Sequence, residues 1–347
     1  MKKISMTEIA KNLNVSKALV SLALSDKYGV SAEMKSKIRM YALENGYDFN
    51  KLHTSKKANT SILFIVPSMD FFHENFWSQI VAGIERVLTE NKITLEILSC
   101  SNMAVANGYM ADQICKHVAS QNPDGILLIE TVASKQICPL IKKMNIPQVL
   151  IDSSDYIYND VDHVLANNYQ GGYIAAEYLI RMGHKNICFI GNKSYTLSFK
   201  YRYMGFKDCC EEYGDLNLTY LTEPGDSECS HFDKKELIRF LSEINEHVAI
   251  MCANDPIALF IYEYCEKNNI KIGKDISVLG FDDVNLCSFT SPKLSSIHVH
   301  RDIIGKVAAE TLLQRIKKSP LPSMNIQIST QLIERDSVVC LNFAAKD

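Results

Sequence analysis

Two different hydrophobic patterns divide the chain near residue 60. Before that point, apolar residues recur at helical spacing in three short segments separated by tight turns. After it, short apolar runs typical of buried strands alternate with longer helical stretches, such as the one from Phe76 to Glu90. The runs predict strands at 62–66, 94–98, 125–129, 148–151, 187–190, 219–221, 248–252 and 276–281.

The first segments predict a helix, a four-residue turn and a second helix, followed by a third helix. Ser16 is the predicted N-cap of the second helix, which covers residues 17–25, and Ser31 that of the third. The third helix should stop at Asn45-Gly46. This arrangement is typical of DNA-binding domains, whose second helix enters the major groove. A small helical subdomain with a solvated basic face is the alternative.

Alternation of strands and helices in the remainder predicts a doubly wound parallel sheet covered on both faces. The chain returns near residue 165 and again near 290–300, so we expect two such lobes that share crossovers. Ligands of these folds bind outside the carboxyl ends of the strands. The polar and aromatic residues there are Asp70, Phe76, Trp77, Asp152, Asn167, Arg202, Asn254 and Asp282. Such groups beside an aromatic ring suit a polyhydroxylated small molecule.

Charge separates the same two parts of the chain. The formal net charge is −3, but residues 1–60 carry +6 and the remainder carries −9. A basic arm on an acidic body indicates a polyanionic partner for the arm. An apolar content of 47% excludes wholesale disorder, and no apolar run approaches the ~18 residues of a membrane span.

Cysteine usage and the N-terminus predict a cytoplasmic protein. The eleven cysteines are scattered without Cys-x-x-Cys spacing, which argues against a disulfide framework and a zinc ribbon. The first residues lack the apolar segment of a secretory signal. His298-x-His300 has no third ligand at supporting spacing, so we expect no metal. Asp255 and Asp283 are expected to cap helices rather than to bind a ligand.

Short motifs stand in order along the headpiece. They are Thr7-Glu8-Ile9-Ala10, Val15-Ser16-x-x-x-Val20-Ser21-x-Ala23-Leu24, Val30-Ser31 and Asn45-Gly46-Tyr47-x-x-Asn50. Together they resemble the DNA-binding headpiece of the lactose-repressor (LacI/GalR) family of bacterial transcription regulators. The resemblance implies DNA contacts from Thr7, Ser16, Lys17, Ala18, Ser21, Leu22, Ser31, Asn50, Lys51, Lys56 and Lys57.

Further motifs resemble the effector-binding core of the same family, which is similar to periplasmic sugar-binding proteins. They include Arg202-x-x-Gly205-Phe206, Ala253-Asn254-Asp255-x-x-Ala258 and Ile276-Ser277-Val278-x-Gly280-Phe281-Asp282-Asp283. The resemblance covers residues 4–335 and implies that Arg202, Asn254 and Asp282 contact an effector, with Phe76 as the stacking ring. It implies a headpiece at 1–48, a hinge at 49–60 and a two-lobe effector-binding and dimerisation core at 61–347.

Departures from the family pattern affect the expected specificity. Leu22 stands where the family usually has arginine, so it cannot make a bidentate contact to guanine, and the operator should differ. The hinge has lysines where an apolar wedge is usual, with Lys56 at the wedge position. Asn167 stands where aspartate is frequent, and no aromatic is evident near 224–227.

The leading hypothesis is a homodimeric DNA-binding regulator, most simply a repressor, controlled by a small-molecule effector. A carbohydrate is favoured over a purine, because carboxylates, amides and arginine outnumber aromatics at the strand ends. The tail after Arg335 is too short for the heptad helix that makes tetramers. A small-molecule receptor without DNA regulation is the alternative. An α/β enzyme is opposed because no nucleophile–base motif is present, and we expect no catalytic residue or cofactor.

Overall fold

A computed structural model describes the protein over residues 4–25, 28–49, 60–67, 75–100, 109–129, 137–152, 160–223 and 231–341. These residues form a three-helix headpiece and a core of two α/β lobes. The helices are α1 (Met6–Asn12), α2 (Lys17–Leu24), α3 (Ala32–Glu44), α4 (Asn75–Glu90), α5 (Tyr109–Gln121), α6 (Ile137–Lys143), α7 (Asn168–Arg181), α8 (Leu197–Tyr213), α9 (Lys234–Ser242), α10 (Asp255–Lys267) and α11 (Arg301–Ile316). The strands are β1 (Ser61–Val66), β2 (Thr94–Ser99), β3 (Gly125–Ile129), β4 (Gln148–Ile151), β5 (Asp162–Ala166), β6 (Asn186–Ile190), β7 (Asn217–Leu221), β8 (Val248–Cys252), β9 (Ile276–Asp282), β10 (Ser295–His298), β11 (Asn325–Ile328) and β12 (Gln331–Ile333).

Serine side chains begin all three headpiece helices. Ser5 forms a capping box with Glu8, in which each residue binds the backbone N–H of the other. Ser16 and Ser31 each accept a backbone N–H from three residues further on, at 3.0 and 3.3 Å, as the sequence predicted. The helices enclose an apolar core of Ile9, Ala10, Val20, Ala23, Leu24, Ile38, Ala42 and Leu43.

Each lobe of the core is built on one six-stranded sheet. The N-terminal lobe has the order β11-β5-β4-β3-β1-β2, and all its strands are parallel. Its β1 pairs with β3 so that Ile62 lies opposite Gly125 and Ile65 opposite Leu128. The C-terminal lobe has the order β12-β10-β9-β8-β6-β7, in which β12 alone runs antiparallel to its neighbour. The predicted pair of doubly wound lobes is therefore confirmed, with the antiparallel edge strand as a correction.

The chain passes between the lobes three times. The crossovers lie at Asn167 between β5 and α7, at Val299–His300 between β10 and α11, and at Ser329–Thr330 between β11 and β12. The first two agree with the expected returns of the chain. The third was not predicted because β11 and β12 are short and their residues are partly exposed, so neither forms an apolar run.

Glycines bring two pairs of helices into backbone contact. A Cβ on Gly172 of α7 would lie 2.0 Å from the carbonyl oxygen of Arg202, and Gly205 of α8 meets α7 in the same way. In the other lobe a Cβ on Gly83 of α4 would lie 2.1 Å from the carbonyl oxygen of Asp302, and Gly305 of α11 is equally close to α4. These contacts fix the helices that carry the residues of the cleft.

The headpiece also touches the core directly, because α3 packs against α5. The Ser36 hydroxyl donates to the carbonyl oxygen of Lys116 at 3.2 Å. Buried Arg39 donates to the carbonyl oxygen of Leu24 at 3.1 Å and, with its other terminal nitrogen, to the side-chain oxygen of Asn122. None of the helices in the described ranges is long and apolar enough to cross a membrane.

Candidate functional site

Arg202 forms the centre of a polar cluster at the carboxyl ends of the strands. It lies on α8 and is only 3% exposed. Its Nε donates to Asn168 Oδ1 at 2.9 Å, and its Nη1 donates to the carbonyl oxygen of Ala253 at 2.6 Å. Its Nη2 forms an ion pair with Asp282 Oδ1 at 3.0 Å. The guanidinium also lies 3.8 Å from the ring centroid of Phe281, and together these contacts hold it in place.

Asp152 brings the N-terminal lobe to this cluster. It follows β4 with a φ of 54°, and Ser198 Oγ of the other lobe donates to its Oδ1 at 3.3 Å. Burial raises the pKa of Asp152 to about 6, although the positive charge of Arg202 acts in the opposite direction. Burial also raises the pKa of Asp282, against the attraction of Arg202 and Arg301. The predicted residues Asp152, Arg202 and Asp282 are therefore brought together between the lobes.

Asp255 is a structural carboxylate and does not cap a helix, contrary to expectation. Its oxygens accept from the Val284 N–H at 2.8 Å and from Ser296 Oγ at 2.7 Å. Burial and then the charge of Asp282 raise its pKa to about 7. It fastens α10 to the end of β9, and a side chain at Gly280 would occupy the same space.

Asn254 holds the N-terminus of α10 and a histidine that the sequence did not suggest. Its Oδ1 accepts from the Ile257 N–H at 3.2 Å, and its Nδ2 lies 3.1 Å from His231 Nδ1. The His231 ring is 4.4 Å from that of Tyr195 and 5.7 Å from that of Phe199. His231 therefore adds an aromatic wall just after the segment in which no aromatic was evident. Nothing in its local sequence distinguishes it from any other loop histidine.

The other residues predicted to bind the effector do not contribute to the described contacts of Arg202. Trp77 is 8% exposed and packs in the core, and Phe76 beside it is only partly buried. Phe76 therefore remains the aromatic candidate of the N-terminal lobe. Asn167 caps α7 by accepting from the Gln170 N–H at 3.1 Å, and together with Asn168 it lines a pocket of about 340 Å³. Asp70 lies outside the described residues.

A second polar cluster surrounds Asp283 near the second crossover. Instead of capping a helix, its carboxylate accepts from Arg335 at 2.7 Å and contacts His298 Nδ1 at 2.9 Å. Its carbonyl oxygen accepts from Arg301 Nη2 at 2.9 Å. The rings of His298 and His300 lie 4.7 Å apart, but the described residues contain no group of three metal-ligating side chains.

Most of the predicted DNA-reading residues in the described ranges are exposed. Ser16 caps that helix, and the side chains of Lys17, Ala18 and Ser21 are exposed. Leu22 is partly buried, and a Cβ on Gly29 would lie 4.0 Å from its Cδ1. Two further predicted DNA-contacting residues are also exposed, namely Thr7 in α1 and Ser31 just before α3. The predicted residues Asn50, Lys51, Lys56 and Lys57 lie outside the described ranges.

The fold and cleft define a class of two-lobe binding protein that carries a helical headpiece. A family profile described as "Periplasmic binding protein-like domain" matches residues 176–338. Among solved structures, a LacI family transcriptional regulator from Enterococcus faecalis V583 with bound ribose has a TM-score of 0.67 and 23% identity, and covers 81% of this chain and 100% of its own. The lac repressor dimer bound to operator and the anti-inducer ONPF has a TM-score of 0.64 and 19% identity, and covers 97% and 100%.

Full-length relatives identify the group of proteins more closely. The HTH-type transcriptional repressor PurR of Aliivibrio fischeri (strain MJ11) is 26% identical over 344 residues, which is 96% of this chain and 98% of that protein. The ribose operon repressor of Haemophilus influenzae is 27% identical over 345 residues, or 97% and 99%. Over nearly its whole length the chain is thus similar to proteins named as transcriptional repressors. The resemblance inferred from its motifs is confirmed.

Proposed function

We propose that this chain is a homodimeric repressor whose affinity for operator DNA is controlled by a small molecule bound between the lobes. The observation that carries the proposal is the approach of Asp152 from one lobe to Ser198 and Arg202 from the other. A ligand that binds all three groups interacts with both lobes at once. We favour a carbohydrate, because carboxylate and guanidinium groups can bind its hydroxyls and Phe76 can cover an apolar ring face.

Control of DNA binding then follows from the relative angle of the lobes. A ligand shifts this angle only if it binds one arrangement more tightly, and coupling of about 1–3 kcal/mol is typical. The three crossovers allow rotation while they hold the lobes together. Because α3 packs directly against α5, a movement of the N-terminal lobe can also displace the headpiece through this contact, in addition to the chain connection.

DNA recognition is assigned to the exposed start of α2. The helix N-terminus and the hydroxyls of Ser16 and Ser31 suit phosphate contacts, while Lys17, Ala18 and Ser21 can reach base edges. The +6 charge of residues 1–60 supplies affinity that salt should weaken. The −9 charge of the remainder keeps DNA contacts on the headpiece.

Dimerisation is supported by an exposed apolar loop after β9. Leu286 is 50% exposed and Phe289 is 83% exposed, and both lie on the short segment around the 3₁₀ helix Asn285–Ser288. Such side chains are typical anchors of subunit interfaces. Two headpieces in one dimer would read the two halves of a pseudo-palindromic operator. We infer that the protein works in the cytoplasm and by binding alone, without catalysis, as the regulatory names of its homologues suggest.

A DNA-binding measurement on the full chain tests the proposal. The probe is the protein's own upstream DNA, labelled for fluorescence anisotropy, with a scrambled duplex as control. We expect specific binding that is lost in Lys17→Glu and retained in Lys267→Glu, which reverses an exposed lysine on α10 of the core. A sugar that stabilises the protein in a thermal-shift panel should then change the affinity for DNA. Equal affinity for the specific and scrambled duplexes, with and without sugars, would contradict repression and leave only a receptor.

A further inference from the structure

Arg301 is the largest side chain that the structure buries completely. It is the first residue of α11, directly after the second crossover, and is 1% exposed. Its Nη2 donates to the carbonyl oxygen of Asp283 in the C-terminal lobe, and its Cζ lies 5.9 Å from the ring centroid of Phe76 in the N-terminal lobe. The positive charge of Arg301 also opposes the rise in the pKa of Asp282 that burial causes. Its guanidinium therefore lies between the lobes, beside the residues assigned to the effector.

The guanidinium keeps donors that no described residue uses. Its Nε and Nη1 are buried and lack a hydrogen-bond partner, and within the described ranges it forms no ion pair. Arg202, by contrast, is neutralised by Asp282 and has three further contacts. The carboxylate of Asp283 forms its ion pairs with Arg335 and His298 instead. Among the described residues Arg301 thus has no ion-pair partner, which is unfavourable for a buried charge, and buried donors are normally satisfied.

We propose that Arg301 binds an anionic group of the effector, so that the effector is a sugar carrying a phosphate ester or a carboxylate. This inference rests on the proposed effector cleft. A guanidinium presents parallel donors that match the oxygens of either anion and compensate its charge. Sugar hydroxyls would then bind Asp152 and Arg202, while the ring lies against Phe76, which is next to Arg301.

The test compares neutral and anionic forms of the same sugar on the full chain. Calorimetric titration uses ribose with ribose 5-phosphate, and glucose with glucose 6-phosphate and glucuronate, plus inorganic phosphate alone. We expect at least one anionic member to bind about tenfold or more tightly than its neutral parent. A phosphate ester and glucuronate differ in their anion, so the panel also separates the two chemical classes.

Variants assign the preference to Arg301. Arg301→Gln keeps polar atoms but removes the charge, and it should bring the ratio between anionic and neutral affinities close to one. Arg301→Lys should retain part of the ratio, and Arg239→Gln, an exposed arginine on α9, should retain all of it. If Arg301→Gln fails to fold, the inference is tested by the ratio of anionic to neutral affinities in the wild type and by its decrease in Arg301→Lys.

Three results would overturn the inference. They are equal affinity for neutral and anionic members, a preference that survives in Arg301→Gln, and a panel in which no anionic member binds. Operator binding without any ligand is measured on the same preparations. Loss of operator binding would contradict the proposed repressor function, whereas DNA release by a neutral sugar would support that function and reject the anionic effector.

Discussion

Carboxylates in the cleft occupy backbone conformations that most residues avoid. Asp152, Asp282 and Asp283 have φ values of 54°, 103° and 52°. Such strain is tolerated where the surrounding contacts hold the residue, and it is frequent at binding sites. Here the strain aims the carboxylates of Asp152 and Asp282 at Arg202, so stability is sacrificed for a preorganised polar surface.

Asp152→Asn should make the protein more stable at neutral pH. Burial raises the pKa of Asp152 to about 6, so the folded chain binds this proton more tightly than the unfolded chain, and stability falls as pH rises from 3.8 to 6. Asparagine removes the charge and accepts the positive φ. Because the side chain is partly exposed, we expect a gain of about 1 kcal/mol at pH 7. Urea denaturation at pH 7 and pH 4 tests this, and a gain that persists at pH 4 would contradict the stated cause.

Leu22→Arg should change which base the headpiece prefers. Leu22 offers only an apolar contact, whereas arginine can bind guanine through two hydrogen bonds, with about 1–3 kcal/mol of discrimination. Selection from a randomised operator library should give guanine at one position in each half-site for the variant. Leu22→Met is the control and should select the wild-type sequence. An unchanged preference in Leu22→Arg would exclude Leu22 from the DNA-reading surface.

Individual residues were predictable where their role is local. Ser16 and Ser31 cap helices through N–H groups three residues away, so the sequence itself contains both partners. Arg301 and His231 were missed because their partners come from distant elements, such as Phe76 and Asn254. Asp255 and Asp283 were misassigned for the same reason. Their carboxylates bind groups brought near by the sheet of the C-terminal lobe rather than a neighbouring helix end.

At the scale of elements, one tight pair of helices in each lobe carries the cleft. The pair α7 and α8 holds Asn168 and Arg202, and the pair α4 and α11 holds Phe76 and Arg301. Both pairs depend on glycines that leave no room for a methyl group. A substitution that separates the helices of a pair should therefore displace the residues proposed to contact the effector.

Gly172→Ala should destabilise the C-terminal lobe and weaken effector binding. The added Cβ would lie 2.0 Å from the carbonyl oxygen of Arg202, so α8 must move away from α7. Overpacking of this kind typically costs about 1–3 kcal/mol. Urea denaturation measures the loss, with Glu177→Ala on the exposed face of α7 as control. A stability equal to that of the control would show that the helices can separate without cost.

The ends of the strands were predicted most accurately where the apolar signal was continuous. All residues of β3, β4 and β8 are buried, and each strand was predicted within one residue of its ends. The strands β5, β10, β11 and β12 contain polar residues, such as Asp162, His163 and Ser296, and were missed. Their pairing is fixed by neighbouring strands, which no local pattern encodes.

At the scale of the whole molecule, residues 1–60 carry a net charge of +6 and the remainder carries −9. This opposition favours the headpiece, rather than the core, as the surface that binds DNA. Apolar side chains are also exposed on the core. Phe289 is 83% exposed on the loop after β9, and Leu286 is exposed beside it. This loop is near the end of the strand that carries Asp282, so an interface there would connect the cleft of one subunit with the other.

Phe289→Asp should convert the proposed dimer to a monomer. A charge at the centre of an apolar contact removes the anchor and leaves an unpaired group, which typically costs 2 kcal/mol or more, about thirtyfold in the dissociation constant. Sedimentation analysis across a range of concentrations measures this, and Ser288→Asp is the neighbouring control. A tetrameric wild type, or a variant that remains dimeric, would contradict the assignment of this loop.

The contact between α3 and α5 has a consequence for the search along DNA. A headpiece held by Arg39 and Ser36 does not sample all orientations around its tether, so part of the orientational entropy lost on DNA binding is already lost in the free protein. The core then restricts the distance between the two headpieces. Operators whose half-sites are displaced by one base pair should therefore bind with lower affinity, even when every base contact could still form.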